Sequence, residues 1–197
     1  DTYRAAMPLA CILHPEKMND MVNTMLHIYE QQGKLPIWHL MGNETDCMVG
    51  NPGAIAVADA IVKGYSGFDK EKAFEALKAS LLLEERGQGL RQEFGYIPSD
   101  MYHESIANDM EYAIADAAVA NAAGFLGKTE DAAFFKARSL SYKNYFDKET
   151  LLARGRFADG SWRSPFNPFA SEHRDNDYCE GNAWQYTWLA PHDFEGL

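Results

Sequence analysis

Acids, amides and aromatic rings are concentrated in one short stretch near the end of the chain, residues 177–188, which reads DYCEGNAWQYTW. Its acids, amides and indoles are Asp177, Glu180, Asn182, Gln185, Trp184 and Trp188. Flat rings stack on the apolar faces of sugars, and carboxylates and amides bind pairs of hydroxyl groups. The stretch therefore predicts a carbohydrate-binding site.

Glu180 is the residue of this stretch that best fits a catalytic acid. Glycoside hydrolysis needs one carboxylic acid to protonate the leaving oxygen and a second carboxylate to activate water or to attack. The two carboxyl groups lie about 6.5–9.5 Å apart for inversion of configuration and about 5–5.5 Å apart for retention. Because Glu180 stands between Cys179 and Gly181 among aromatic residues, we expect desolvation to keep it protonated near neutral pH.

These residues also have purely structural interpretations. An acid ahead of a helix is often a cap or a partner of the helix dipole, and this interpretation stays open for Glu180. Trp184 and Trp188 are four residues apart and fit the core side of a helix equally well. Acyl transfer is disfavoured, because no G-x-S-x-G nucleophile motif accompanies the histidines His39, His103, His173 and His192.

The charge balance argues against several other functions. Lys and Arg number 18 against 29 Asp and Glu, which gives a net charge of −11 over 197 residues. This charge repels nucleic-acid phosphates and anionic lipids, so we expect neither as a partner. No apolar run approaches the roughly 20 residues of a membrane span. The three cysteines are too few for a disulfide framework, and we expect buried free thiols.

Helical periodicity dominates the sequence, and strand signals are scarce. Helices are predicted over residues 15–32, 52–63, 69–86, 104–125 and 128–145, with Asp69 and Thr129 as N-caps, and a sixth begins within 181–189. No repeat of fixed period is found. The pattern predicts an all-α fold of stacked helical hairpins.

Three long loops carry many of the remaining aromatic and polar side chains. They span residues 33–53, 88–103 and 157–180, and they include Trp38, Glu44 and Trp162. A loop that only connects two elements needs turn residues and solubility, not this mixture of rings, amides and acids. We therefore expect these loops to host function.

Four sequence blocks together resemble one enzyme family. They are DTYR at the start, LPIWHLMGNETDCMVG with ADAIVKGYSGFD after it, GYIPSD, and DYCEGNAWQYTWLAPHDFEGL at the end. In this order, and over the whole chain, they resemble the catalytic domain of the calcium-dependent exo-acting α-mannosidases of glycoside hydrolase family 92. The resemblance implies part of an (α/α)6 toroid, preceded by a β-sandwich domain, that removes terminal α-linked mannose with inversion.

The resemblance also assigns roles to residues. Glu180 corresponds to the family's general acid, and Asp1 corresponds to its mannose-binding aspartate. The positions implied to line the sugar pocket are Glu44, Trp184 and Gln185. Calcium is the implied cofactor, with its main ligands and the catalytic base expected downstream of Leu197. The implied substrate is a mannose-containing glycan with α-1,2 linkages, and the implied localisation is secreted or periplasmic.

The two ends of the sequence bear on activity. The chain begins within DTYR and ends within HDFEGL, so residues 1–197 are expected to be a single segment of the catalytic domain, truncated at both ends. The remainder of that domain and the N-terminal β-sandwich domain are then the implied partners. Since inversion needs acid and base together, the segment alone is expected to be inactive and to expose apolar helix faces.

Two departures from the family pattern and two alternatives accompany this interpretation. Residues 51–53 read Asn-Pro-Gly where relatives commonly show a Tyr-His pair, and HESIANDMEY stands where relatives tend to Ser-Lys-Thr-Leu-Glu-Tyr. Both differences bear on the subsite beyond the cleaved mannose, and so on linkage preference. The alternatives are another (α/α)6 inverting glycosidase and a non-catalytic carbohydrate-binding helical protein.

Overall fold

The computed structural model describes residues 2–172 and 174–197, and helices dominate it. They are α1 (Ala6–Leu13), α2 (Met18–Gln32), α3 (Pro52–Val62), α4 (Lys70–Leu82), α5 (Gln88–Phe94), α6 (Ser105–Phe125), α7 (Thr129–Arg138) and α8 (Ala183–Tyr186). A 3₁₀ turn, Pro15–Lys17, precedes α2, and another, Ser141–Tyr145, follows α7. The prediction of a mostly helical chain is confirmed.

Two short β-hairpins lie between the helices. β1 (His39–Leu40) pairs antiparallel with β2 (Asn43–Glu44), and β3 (Phe146–Asp147) pairs antiparallel with β4 (Leu152–Ala153). Met41 and Gly42 join β1 to β2 with φ angles of 55° and 80°, the left-handed pair that a tight hairpin turn requires. A tight hairpin turn thus sets the backbone conformation in the middle of the loop over residues 33–53.

Helix α4 shows which local signals determine a boundary. It begins as predicted, because Asp69 Oδ1 accepts hydrogen bonds from the N–H groups of Glu71 and Lys72 at 2.9 and 3.1 Å. It ends at Leu82 rather than at Arg86. Arg86 has a φ of 52°, which lies outside the helical range, so the helix must end before it.

The predicted helix over 128–145 is divided. α7 stops at Arg138, and the 3₁₀ turn follows it separately. The assignment of Thr129 as N-cap was wrong, because the Ala132 N–H bonds to the carbonyl of Lys128, which places the cap at Lys128.

Two helices were not predicted. α1 contains Pro8, which is tolerated in a first helical turn but weakens a helix signal in the sequence. α5 has seven residues, too few for a 3.6-residue period to stand out.

The chain forms two compact units, each with its own core. The first unit comprises the described part of Asp1–Leu82 with Ala115–Lys136, and the second comprises Leu83–Ile114 with Ala137–Leu197. In the first unit, α3 packs against α2 and α4. Its buried side chains include Val22, Leu26, Val57, Ile61, Leu77 and Leu81.

Helix α1 carries apolar residues that the first unit leaves uncovered. Met7 is buried against Met18 and Ala56. Leu9, Ile12 and Leu13 are exposed. Exposed apolar residues of this kind are expected on a helix that packs against a further element.

The second unit is organised around a buried ion pair. Asp109 on α6 is fully buried, and Arg91 on α5 donates to its Oδ1 at 2.5 Å. Ser141 donates to the same oxygen at 2.7 Å, and Tyr145 donates to Oδ2 at 2.9 Å. The main-chain N–H of Ile97 donates to Oδ2 at 3.1 Å. These bonds connect α5, α6 and the 3₁₀ turn after α7.

The cysteines do not form disulfides, and their burial differs. Cys179 is buried and Cys11 is partly buried, but Cys47 is exposed, so the prediction of burial was wrong for Cys47. Across the described part of the chain, no helix combines the length and the apolar character that crossing a membrane requires.

Candidate active site

The stretch over residues 177–188 folds around the single helical turn α8. Asn182 is its N-cap: Oδ1 accepts from the Gln185 N–H at 3.3 Å, and Gln185 Oε1 accepts from the Asn182 N–H at 3.0 Å. This reciprocal pair is a capping box. Glu180 lies two residues before the cap, so the interpretation of Glu180 as the helix cap was wrong.

Tyr186 fixes the residue that precedes the candidate acid. Its hydroxyl donates to the Cys179 carbonyl at 2.7 Å and accepts from the Cys179 N–H at 3.2 Å. Burial raises the pKa of Tyr186, which keeps the hydroxyl protonated and able to donate. On the other side of the acid, a Cβ at Gly181 would lie 2.9 Å from Gln185 Oε1. The backbone on both sides of Glu180 is therefore closely packed.

Strand β4 anchors the same stretch. The Tyr178 hydroxyl donates to the Ala153 carbonyl at 2.6 Å, and the Ala153 N–H donates to Thr187 Oγ1 at 2.8 Å. The rings of Tyr178 and Tyr186 also contact each other, with centroids 5.4 Å apart. Residues on both sides of Glu180 are thus attached to one strand residue.

Glu180 itself is exposed and has an unusual backbone conformation. Its φ is 49°, in the left-handed region, which costs an ordinary residue about 1–2 kcal/mol. The hydrogen bonds of Tyr186 to the preceding residue hold it there. The desolvation expected from the sequence is not provided by the described residues, because the side chain is open to solvent. An exposed acid on a fixed backbone is placed to reach a bound substrate.

Trp184 and Gln185 lie on α8, four and five residues after the acid. Trp184 and Trp188 are 49% and 68% exposed, so the interpretation of both indoles as core was wrong. Gln185 uses Oε1 in the capping box, and its Nε2 has no hydrogen-bond partner among residues 2–172 and 174–197. Three of the predicted site residues, Glu180, Trp184 and Gln185, thus lie in one short hydrogen-bonded stretch of the chain.

A polar cleft of about 490 Å³ opens next to the start of this stretch, lined by residues 99–103, 174–177 and Arg163. Arg163 donates from Nε and Nη2 to the two oxygens of Asp177 at 2.6 and 2.8 Å. Burial raises the pKa of Asp177, although the Arg163 guanidinium acts in the opposite direction. Guanidinium, carboxylate and amide groups in one cleft are suited to binding hydroxyl groups.

Glu44 lies in the first unit and holds its loop through main-chain hydrogen bonds. Oε1 accepts from the N–H groups of Trp38, Thr45 and Asp46 at 2.9, 3.0 and 3.1 Å, and Oε2 accepts from Ile37 at 2.7 Å. Burial acts to raise the pKa of Glu44, but these hydrogen bonds outweigh it and hold the pKa at about 2. Because four main-chain donors occupy the carboxylate, it organises the loop in this structure. Its assignment to the sugar pocket stays a prediction.

We expect Glu44→Gln to remove a pH-dependent part of the stability of the first unit. The pKa of Glu44 is about 2 in the folded chain against an ordinary 4.5. The wild type therefore has this stabilisation in full above about pH 5 and loses it as the pH falls towards 2. The opening free energy of the α3 amides, measured by hydrogen exchange between pH 5 and 3, should fall less steeply in the variant.

The control for Glu44→Gln is Glu130→Gln, which makes the same chemical change at an exposed position of α7. It should keep the wild-type slope of opening free energy against pH. A Glu44→Gln slope equal to the wild-type slope would contradict the interpretation of Glu44.

The remaining predicted site residue, Asp1, lies outside the described residues, and its assignment stays a prediction.

Sequence reasoning also missed residues. Tyr178, Tyr186 and Ala153 hold the backbone around Glu180. A hydrogen bond from a tyrosine to a main-chain group cannot be predicted from residue types, because every residue offers the same main-chain carbonyl.

The described residues do not provide a calcium cage. No three His, Cys, Asp or Glu side chains within 2–172 and 174–197 converge as metal ligands, whereas calcium takes 6–8 oxygen ligands. The carboxylate of Glu44 is engaged by main-chain donors, and that of Asp177 by Arg163.

Comparison with known proteins identifies similar structures. A family GH92 α-mannosidase from Bacteroides thetaiotaomicron, solved in complex with mannoimidazole, superposes with a TM-score of 0.93 and 40% identity. The match covers 97% of this chain and 26% of that one. A family GH92 inverting mannosidase from Bacteroides thetaiotaomicron has a TM-score of 0.92 and 31% identity, covering 100% of this chain and 27% of its own.

The chain thus spans about a quarter of the length of these solved relatives. No curated protein matches it at a significant level. The sequence model of the glycosyl hydrolase family 92 catalytic domain matches residues 1–197. Together with the likeness to the two solved mannosidases, this match shows that the chain belongs to glycosyl hydrolase family 92.

Proposed function

We propose that this chain carries the acid side of the active site of an inverting exo-acting α-mannosidase, as part of an (α/α)6 toroid. The observation that carries the proposal is the exposed carboxylic acid of Glu180 on a backbone held by Tyr186. Trp184 and Gln185 stand beside it. The two solved relatives are themselves described as mannosidases, one of them as inverting.

In the proposed reaction, Glu180 is the general acid. It donates its proton to the glycosidic oxygen as the bond from that oxygen to the mannose carbon breaks, so the remaining glycan leaves as a neutral alcohol. A second carboxylate takes a proton from water, and the water oxygen attacks the same carbon from the opposite face. That base should lie about 6.5–9.5 Å from Glu180. We place it outside residues 1–197.

Substrate binding follows from the side chains near the acid. The half-exposed Trp184 ring offers an apolar face to a pyranose, and Gln185 Nε2 offers a donor to a hydroxyl group. Asp1 is proposed to bind the cleaved mannose and Glu44 to line the sugar pocket, as the resemblance to the family implies. The proposed substrate is a terminal α-1,2-linked mannose of a glycan.

Cofactor, partners and localisation complete the proposal. We expect calcium to be bound by parts of the enzyme other than the residues described above. The exposed α1 side chains Leu9, Ile12 and Leu13 are proposed to pack against the remainder of the catalytic domain or against an N-terminal β-sandwich domain. The enzyme is proposed to be secreted or periplasmic.

The test is to follow the first product by proton NMR while the full-length enzyme hydrolyses α-1,2-mannobiose. Inversion releases β-mannose, which appears before mutarotation equilibrates the anomers. Initial release of α-mannose would contradict an inverting mechanism. If no mannose is released from α-1,2-, α-1,3- or α-1,6-mannobiose, the proposed mannosidase activity is rejected. That result would favour a non-catalytic carbohydrate-binding protein. Residues 1–197 alone should release no mannose.

A further inference from the structure

Two exposed aromatic side chains contact each other beside the acid-bearing stretch. The rings of Phe169 and Trp184 have centroids 6.1 Å apart and planes inclined by 30°. Phe169 is 71% exposed and Trp184 is 49% exposed. Two large rings that lie nearly side by side and face solvent form an apolar surface that the second unit does not cover.

Both rings are held on an ordered backbone. Trp184 follows the N-cap of α8, where the capping box fixes the helical turn. Phe169 lies in a turn closed by Asn167, whose Oδ1 accepts from the Phe169 N–H at 3.1 Å and whose carbonyl accepts from the Ala170 N–H at 3.1 Å. A surface that is ordered before binding loses less entropy when a ligand arrives.

The rings are separate from the core that supports them. Ala183 on α8 and Thr187 directly after it are buried, and they face Ala153 and the tyrosines. Phe169 is absent from the buried core cluster of this unit and from the partly buried residues packed against it. Removing the Phe169 ring is therefore expected to leave the fold intact.

We propose that Phe169 and Trp184 form a platform for the sugar on the leaving-group side of the scissile bond. This inference rests on the proposed function. The terminal mannose of an exo-acting enzyme needs an enclosed pocket that contacts its hydroxyl groups. The leaving-group sugar stays attached to the rest of the glycan and needs an open surface, and the platform is open. Trp184 also lies only four residues after the acid that must reach the bond.

The experiment compares two substrates of the full-length enzyme. α-1,2-Mannobiose has a sugar as its leaving group, whereas α-mannosyl fluoride has fluoride and places nothing on the platform. Phe169→Ala should lower kcat/KM about tenfold for mannobiose, as expected for loss of an aromatic contact. Turnover of mannosyl fluoride should stay within about twofold of the wild type.

Two further variants serve as controls. Phe169→Tyr keeps the ring and should restore turnover of mannobiose. Phe125→Ala removes an exposed phenylalanine at the end of α6 and should affect neither substrate.

Four outcomes overturn the proposal. Equal losses on both substrates would show that Phe169 acts on the cleaved mannose or on the acid. A lower melting temperature with unchanged kinetics would show that protein, not sugar, covers the ring. If the wild type hydrolyses neither substrate, the proposed function fails and the platform fails with it. If the wild type is active but Phe169→Ala is unaffected, only the platform fails.

Discussion

Replacing Glu180 by glutamine in the full-length enzyme should lower kcat for α-1,2-mannobiose by about 10²- to 10⁴-fold, the usual contribution of a positioned general acid. A glutamine amide has nearly the same size and keeps hydrogen bonding to the substrate, but it has no proton to give to the leaving oxygen. Mannobiose binding should therefore survive. The measurement is kcat with saturating mannobiose, paired with the dissociation constant of mannobiose for the variant.

The leaving group provides the sharpest comparison for this variant. A fluoride leaving group needs little help from an acid, so α-mannosyl fluoride should lose much less turnover than mannobiose. The matched control is Glu149→Gln, an exposed glutamate between β3 and β4 in the same unit. It should turn over both substrates at the wild-type rate. Unchanged turnover of mannobiose by Glu180→Gln would reject Glu180 as the acid.

The largest effect on stability is expected for Asp109→Asn. Asp109 and Arg91 are both buried, and the substitution leaves the Arg91 guanidinium without its counter-charge. Breaking a buried pair by removing one partner typically costs about 3–5 kcal/mol. Asparagine also places an N–H₂ group against donors such as the hydroxyls of Ser141 and Tyr145. The opening free energy of the α6 amides, measured by hydrogen exchange, should fall by this amount.

An exposed ion pair provides the control for Asp109→Asn. Asp59 and Lys63 lie one helical turn apart, and their side chains are 40% and 37% exposed. Asp59→Asn should change stability by less than about 1 kcal/mol, because water screens the pair. If Asp109→Asn has an effect as small as Asp59→Asn, the buried ion pair does not organise the second unit.

The parts of the fold that the sequence predicted are those with a local cause. The apolar faces of α2, α3 and α6 recur at the helical period, and Asp69 caps α4 as its residue type suggests. α5 was missed because seven residues show too little periodicity. The end of α4 was misplaced because the positive φ of Arg86 has no signature in a non-glycine residue.

In the candidate site, too, some features could be predicted from the sequence and others could not. Residue types and motif order identified Glu180, Trp184 and Gln185 as neighbours. They did not reveal that the Glu44 carboxylate and the Oε1 atom of Gln185 accept hydrogen bonds from main-chain groups. Such hydrogen bonds depend on the path of the folded backbone, and the amino-acid type of the main-chain partner does not indicate them. The contact between Phe169 and Trp184, which are fifteen positions apart, could not be predicted from the sequence either.

The attachment of the acid-bearing stretch to β4 has a consequence for substitution. Both bonds use the peptide groups of Ala153, its carbonyl with Tyr178 and its N–H with Thr187. Any residue other than proline keeps both peptide groups, but Ala153 is only 1% exposed, so a larger side chain would have to displace its core neighbours. Proline is the exception, because it has no N–H to give to Thr187. At Ala153, the support of the acid therefore depends on the size of the side chain and on a main-chain N–H, not on the chemistry of the side chain.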